Sequence, residues 1–274
     1  VSAAARFSDP ELAMTDASAV PILSSRGLAK TFRVGGADVV ALQGVDLDIR
    51  RGEFVSFVGP SGCGKSTFLN MVAGLLPATA GTAHLAGDPI REPSRRVGFM
   101  FQSAVLLPWR SVLSNVLMPA EVYGLDPASL REKARAVIAS VGLAGFEDAY
   151  PRQLSGGMQQ RVALARVLTY EPEVLLMDEP FGALDEFTRE TMNIELMRIS
   201  QAAGITVLFV THNIGEAVFM ADRVVVMTPR PGKVSGIVDV GLARPRTVQT
   251  MRQPAYSDLV FEVRRLLGGN HGES

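Results

Sequence analysis

One cysteine and one tryptophan are all that 274 residues contain of either type. With Cys63 alone no disulfide can form within the chain, so the composition points to a reducing compartment and away from a disulfide-stapled scaffold. No apolar run reaches the about eighteen residues that a membrane-spanning helix needs. The most apolar window, residues 68–87, is broken by Asn70, Pro77 and His84. Charge of one sign is not in excess either. The 27 basic and 28 acidic residues nearly cancel, which leaves no nucleic-acid footprint in the net charge. Residues 1–20 lack both the apolar centre of a secretory signal and any periodicity, so we expect a flexible extension there and a protein kept inside the cell.

What remains is the balance of a globular chain long enough for a large core, 47% apolar and 20% charged. From residue 22, ILSSRGLAKTF, VVALQGVDLDI and EFVSFVG form a β-rich start. Residues 103–170 turn mostly helical. In DPASLREKARAVIASVGL, Asp126 can cap, Pro127 suits the first helical position, and Leu130, Ala134, Val137, Ile138 and Val141 share one face. A β/α rhythm then returns with VLLMD, TVLFVTH and RVVVM, whose unbroken apolar runs predict strands covered on both faces, as in a parallel sheet. A closing helix is expected in YSDLVFEVRRLLGG, with Ser257 as its cap. Trp109 does not fit this rhythm: in FQSAVLLPWRSV it follows Pro108, which interrupts helices and central strands alike.

The sharpest motif is GPSGCGKST, comprising Gly59, Pro60, Ser61, Gly62, Cys63, Gly64, Lys65, Ser66 and Thr67. It follows a strand and opens a helix, the context a phosphate-binding loop requires. Glycines let successive N–H groups turn toward one anion, and the helix N-terminus adds partial positive charge. Lys65 can reach the β- and γ-phosphates of a nucleotide, and the Ser66 hydroxyl can ligate Mg²⁺. Cys63 has no base beside it and is taken as a small loop residue rather than a nucleophile, though one whose alkylation should block nucleotide binding.

Three other strand ends carry polar groups. VLLMDEP places Asp178 and Glu179 at the C-terminal edge of the sheet, where α/β proteins bind ligands. There Asp178 would hold Mg²⁺ and Glu179 would deprotonate water. TVLFVTH ends in His212 and VGFMFQ in Gln102. Each is weak evidence alone, but around one phosphate cradle they converge.

Together with LSGGMQQR (154–161), the set resembles the ATP-binding subunit of ABC transporters, over about residues 22–230. The resemblance implies an α/β fold: a P-loop NTPase core with a mainly parallel sheet, an N-terminal antiparallel β subdomain and an inserted helical subdomain. It implies that Ser155, Gly156 and Gly157 of one subunit close over the γ-phosphate held by the Lys65 of a second. Phe32 falls where the family stacks an aromatic on adenine, and Gln102 matches the residue that joins Ser66 and Asp178 around Mg²⁺. Asp178 and Glu179 match the acidic pair, Ala183-Leu184-Asp185 the loop that follows it, and His212 the switch histidine. Asn213 departs from the family's aspartate, which is not one of its catalytic groups.

The implied division is an extension over 1–20, an ATPase domain over 21–242 with its helical subdomain near 103–165, and a short tail with a closing helix over 243–274. Wording such as LLPW, MTPRPGKV and LARPR is similar to importers of nitrate, sulfonates and taurine. ATP and Mg²⁺, separate membrane permease subunits, a second ATPase subunit, a solute-binding protein, no nucleic acid and a place on the inner face of the cell membrane follow from that resemblance. In the family the stretch after Gln102 accepts a helix of the membrane subunit, so Trp109 either shapes a docking groove or packs inside the helical subdomain. A pyrimidine-precursor importer, an exporter, a soluble repair or translation ATPase and a non-hydrolysing relative are the alternatives.

Overall fold

The computed structural model describes residues 20–268. The extension expected over 1–20 lies almost wholly outside them. Two long strands, β1 (Leu23–Val34) and β2 (Ala37–Ile49), pair antiparallel through a tight turn at Gly35 and Gly36. Val45, Leu47 and Ile49 face inward while Asp46 and Asp48 face solvent, the two-residue period of a sheet with one wet face. Strands β4 (Ala80–Leu85) and β5 (Asp88–Pro89) complete this sheet in the order β2-β1-β4-β5.

The second sheet holds β3 (Phe54–Val58), β6 (Val97–Met100), β7 (Val174–Asp178), β8 (Thr206–Val210), β9 (Arg223–Met227) and β10 (Val234–Asp239), in the order β10-β9-β3-β8-β7-β6. All neighbours are parallel except the β9–β10 pair. All five residues of β3 and of β8 are buried, for β8 as its apolar run predicts. Helix α1 (Lys65–Val72) leaves β3, while α2 (Val112–Val116), α3 (Met118–Val122), α4 (Pro127–Ser140) and α5 (Gly156–Leu168) fill the interval between β6 and β7. Asp126 caps α4, accepting from the amides of Ala128 and Ser129 at 2.9 and 3.2 Å. Helix α5 lies so close to β6 that a Cβ on Gly98 would come within 2.3 Å of Val167 Cγ1, a contact only glycine allows.

Helices α6 (Glu186–Ala203), α7 (Ile214–Met220) and α8 (Pro254–Gly268) complete the chain order. The closing helix starts at Pro254, not at Ser257: proline's fixed φ suits the first helical position, so Ser257 lies inside the first turn and caps nothing. Arg246 of LARPR is buried, and its guanidinium donates to the carbonyls of Val218, Phe219, Ala221, Val240 and Leu242. It thereby ties the end of α7 to the segment after β10. At the opposite edge Glu173, just before β7, accepts from Arg96 at 2.5 Å and from Arg51 at 2.8 Å. That clamp joins the starts of β3, β6 and β7.

Candidate functional site

Strand β3 ends at Val58 and α1 begins at Lys65, so the six residues between turn sharply around their own backbone. Gly64 caps α1 at φ 99°, and a Cβ there would stand 2.9 Å from the Ala41 carbonyl oxygen. Glycine meets both demands. Lys65 Nζ donates to the carbonyls of Gly59 and Pro60 at 2.7 and 3.1 Å, which keeps the ammonium inside the loop. In front lies a cleft of about 320 Å³, lined by Ser61 to Thr67, Phe32, Glu179 and Arg230 among others. Gly59 and Pro60 are not part of that lining. Phe32, paired with Val39 across β1 and β2, is 36% exposed, with the Lys30 ammonium 5.3 Å from its ring centroid. An aromatic face and a nest of N–H groups thus share one cleft. Cys63 is fully buried, so an alkylating reagent can reach it only after the loop opens, and the expected block by thiol reagents needs that opening first.

The acidic pair arrives from β7. Ser66 Oγ donates to Asp178 Oδ1 at 3.0 Å. Burial raises the Asp178 carboxyl above its ordinary range; the Ser66 hydrogen bond opposes this, Glu179 beside it adds to it, and Lys65 offsets part. Glu179 adopts φ 45°, a left-handed conformation unusual for glutamate. Its amide donates to Val210 O at 3.0 Å and its carbonyl accepts from Gly182 N at 3.1 Å, so the end of β8 and the following turn hold it there. His212 Nδ1 lies 3.4 Å from Glu179 Oε2. Behind His212, the Thr211 hydroxyl donates to the Glu216 carboxylate, which also accepts from Asn193 Nδ2 of α6 at 2.8 Å. Asn213, the departure from the family pattern, caps α7 by accepting from Glu216 N at 3.0 Å, a task its side-chain oxygen performs as an aspartate's would.

Gln102 is exposed beyond the end of β6 and lines no part of the cleft; its Nε2 stands 3.8 Å from where a Cβ on Gly182 would be. Its main-chain carbonyl accepts from Gln160 Nε2 of α5 at 2.8 Å. Ser155 caps α5, accepting from Met158 N at 3.3 Å, and Gly156 and Gly157 open the helix. None of these three lines the cleft, so the chain carries two separate helix N-termini suited to anions. Sequence pattern alone singles out neither Arg230, in the lining, nor Gln160, under Gln102. Arg230 sits in no glycine-rich or acidic motif, and Gln160 has no signal apart from its place in LSGGMQQR.

The family described as ABC transporter matches residues 42–182, just over half of the chain. The chain belongs to the ABC transporter family of ATP-binding proteins. This ABC ATPase is 43% identical, over 84% of its length and 91% of the relative's, to an aliphatic sulfonates import ATP-binding protein of Bacillus licheniformis. It is also 43% identical to a nitrate import ATP-binding protein of Synechococcus elongatus, over 84% of its own length but only 35% of that longer chain. Among solved structures, the dimeric post-hydrolysis state of an ATP-binding cassette with ADP and phosphate superposes with a TM-score of 0.71 at 33% identity, covering 80% of this chain and 98% of that one. The ABC ATPase therefore binds ATP and hydrolyses it to drive transport.

Proposed function

We propose that this subunit powers uptake of a small anionic or polar solute, of the nitrate or sulfonate kind, through separate membrane subunits, with the residues around the P-loop performing hydrolysis. The observation that carries the site assignment is the meeting of the β7 and β8 ends at one loop: Ser66 on Asp178, and Glu179 on His212. The loop amides and Lys65 bind the β- and γ-phosphates, and Phe32 stacks on adenine. Glu179 takes a proton from the water that attacks the γ-phosphorus as the bond to the bridging oxygen breaks and ADP leaves. His212 holds Glu179 in place and contacts the γ-phosphate, with Glu216 fixing its loop from behind.

The Ser66 hydroxyl and the Asp178 carboxylate are adjacent hard oxygen donors; Gln102, outside the cleft lining, would add an amide oxygen only by swinging inward. This donor set fits Mg²⁺, which takes one or two protein oxygens and completes its shell with phosphate and water. Bound there, the ion would neutralise charge developing on the phosphates. Ser155 and Gly157 lie outside the cleft, so they act on ATP held by a second copy, arranged head to tail. We take residues 21–242 as the ATPase unit and about 103–165 as its helical subdomain. No helix among the described residues is long and apolar enough to cross a membrane, and the subunit is proposed to sit on the inner membrane face.

Permease docking is assigned to the surface beyond Gln102. Phe99, Phe101, Val105, Leu107, Met118 and Tyr123 line an apolar groove of about 300 Å³ there. Trp109, two residues past Leu107, is 70% exposed, so it is not core. Val105 at φ 42° is held by Arg166, which donates to the carbonyls of Val105 and Ala104 at 2.8 and 3.0 Å. A β-branched residue kept in that conformation fits a surface shaped for a partner.

The test is Glu179→Gln. It should keep ATP affinity, lose about 10²-fold or more in turnover, and run as an ATP-dependent dimer on size exclusion. Ordinary hydrolysis by this variant would remove Glu179 from the role of base.

A further inference from the structure

The sheet order divides the surroundings of the P-loop into two flanks. Strand β3 delivers the loop; β8, β7 and β6 follow on one side and bring His212, Glu179 and Gln102. On the other side comes β9, whose continuation is the turn TPRPGK (228–233). That turn is built to approach the loop closely. Gly232 donates to Ala41 O at 3.1 Å and accepts from Gln43 N at 2.9 Å, which fastens it to β2. A Cβ on Gly232 would fall 1.8 Å from the Cys63 carbonyl oxygen, so only glycine permits the contact. Thr228 closes the turn internally: its hydroxyl donates to Pro231 O at 3.2 Å and accepts from Lys233 N at 3.0 Å.

The result is Arg230 standing over the loop, its Nη2 3.4 Å from where a Cβ on Gly62 would be, in the lining of the cleft that also contains Phe32. The arginines at the other end of β9 are occupied, Arg223 with Glu53 at 3.0 Å and Arg244 with Asp222 at 2.8 Å. Arg230 has no such carboxylate partner among the described residues. A rigid turn that delivers an uncommitted guanidinium to an anion-binding cleft calls for an anionic ligand there, since a planar fork of donors matches phosphate geometry.

We propose that Arg230 is a nucleotide-binding residue, contacting the part of the nucleotide common to ATP and ADP, on the flank opposite the hydrolytic groups. The inference rests on the P-loop reading of the cleft. Because His212, Glu179 and Asp178 all lie across β3 from it, Arg230 serves the ribose and α-phosphate end and not the γ-phosphate. It therefore strengthens binding of substrate and product alike and leaves the chemical step untouched, as uniform binding does.

Titration of the full chain with ATP and with ADP, for Arg230→Ala, Arg230→Lys and Lys65→Ala, tests this. Arg230→Ala should weaken both nucleotides by the same factor, about tenfold, with kcat at saturating ATP unchanged. Arg230→Lys should recover part of the loss, and the gap to wild type should narrow as salt rises. Three results would overturn the proposal: unchanged affinities in Arg230→Ala while Lys65→Ala loses binding; loss for ATP alone, which puts the guanidinium at the γ-phosphate; or a fall in kcat without a fall in affinity. If Lys65→Ala binds ATP as wild type does, the P-loop reading itself is wrong and the proposal goes with it.

Discussion

Asn115→Ala is the substitution whose effect follows most directly from the geometry. Asn115 is fully buried at the heart of α2 and holds the stretch that carries Trp109. Its Oδ1 accepts from Leu107 N at 2.8 Å, while Nδ2 donates to the carbonyls of Leu107, Arg110 and Ser111 at 3.1, 3.0 and 3.1 Å. Two amide hydrogens serve three carbonyls, so the side chain counts for about three bonds. Each is worth roughly 1 kcal/mol net, which gives a loss of about 3 kcal/mol. In a domain of this size that lowers Tm by roughly 6–12 °C. Trp109 is the only tryptophan, so its emission reports this one loop and far-UV circular dichroism reports the whole fold. In Asn115→Ala the emission should change at temperatures where the ellipticity has not moved, because the loop frees itself first. Asn115→Asp keeps the acceptor but sets a carboxylate against three carbonyls, and should be no better than alanine. A melting point within about 1 °C of wild type, with Trp109 emission unaltered, would refute the argument.

Other expectations concern different links. Trp109→Ala should fold with nearly unchanged Tm and hydrolyse ATP alone at the wild-type rate, yet fail to drive uptake when reconstituted with its membrane subunits; uptake at the wild-type rate would remove the ring from the docking surface. Arg246→Ala leaves five carbonyls without their donor and should cost about 3 kcal/mol by chemical denaturation. Arg246→Lys should recover little, since one ammonium cannot reach all of them; burial already pushes the Arg246 pKa down to about 10. Glu173 has its pKa lowered, chiefly by the Arg96 hydrogen bond, with burial opposing and Arg51 assisting. A lowered folded-state pKa gives stability that is present above the unfolded value, about 4.3 for glutamate, and is lost as pH falls through the folded one. The stability gap between wild type and Glu173→Gln should therefore hold from neutral pH to about 5 and close on further acidification. A gap that widened in acid would contradict the sign.

How much the sequence revealed depended on whether a residue's task was set by its own neighbours in the chain. The P-loop, the acidic pair and His212 were legible because each follows an apolar run that can only be a covered strand, and its end must then point to the sheet's edge. The cap at Asp126 was legible for the same local reason. Arg230 was not, because its meaning comes from a turn pinned by Gly232 against Ala41 and Cys63, residues far earlier in the chain. Asn115 gave no signal either: a polar residue on a short helix becomes a keystone only once the loop folds back over it. Ser257 misled because serine is a common cap, while Pro254, three residues before it, had the stronger claim. For Trp109 the chain left two readings, and its exposure speaks against the packed one.

The missing side chain at Gly98 has a mechanical consequence. It lets α5 rest on β6 near Val167, while Ser155 stands at the far end of the same helix. Twelve residues at about 1.5 Å each put roughly 18 Å between that fulcrum and the cap. A tilt of only about 10° about the fulcrum would sweep the far end through roughly 3 Å, the length of a hydrogen bond. The helix is thus a lever whose short arm touches the sheet and whose long arm carries the second anion cradle. A push too small to disturb the sheet could then make or break every contact at the tip.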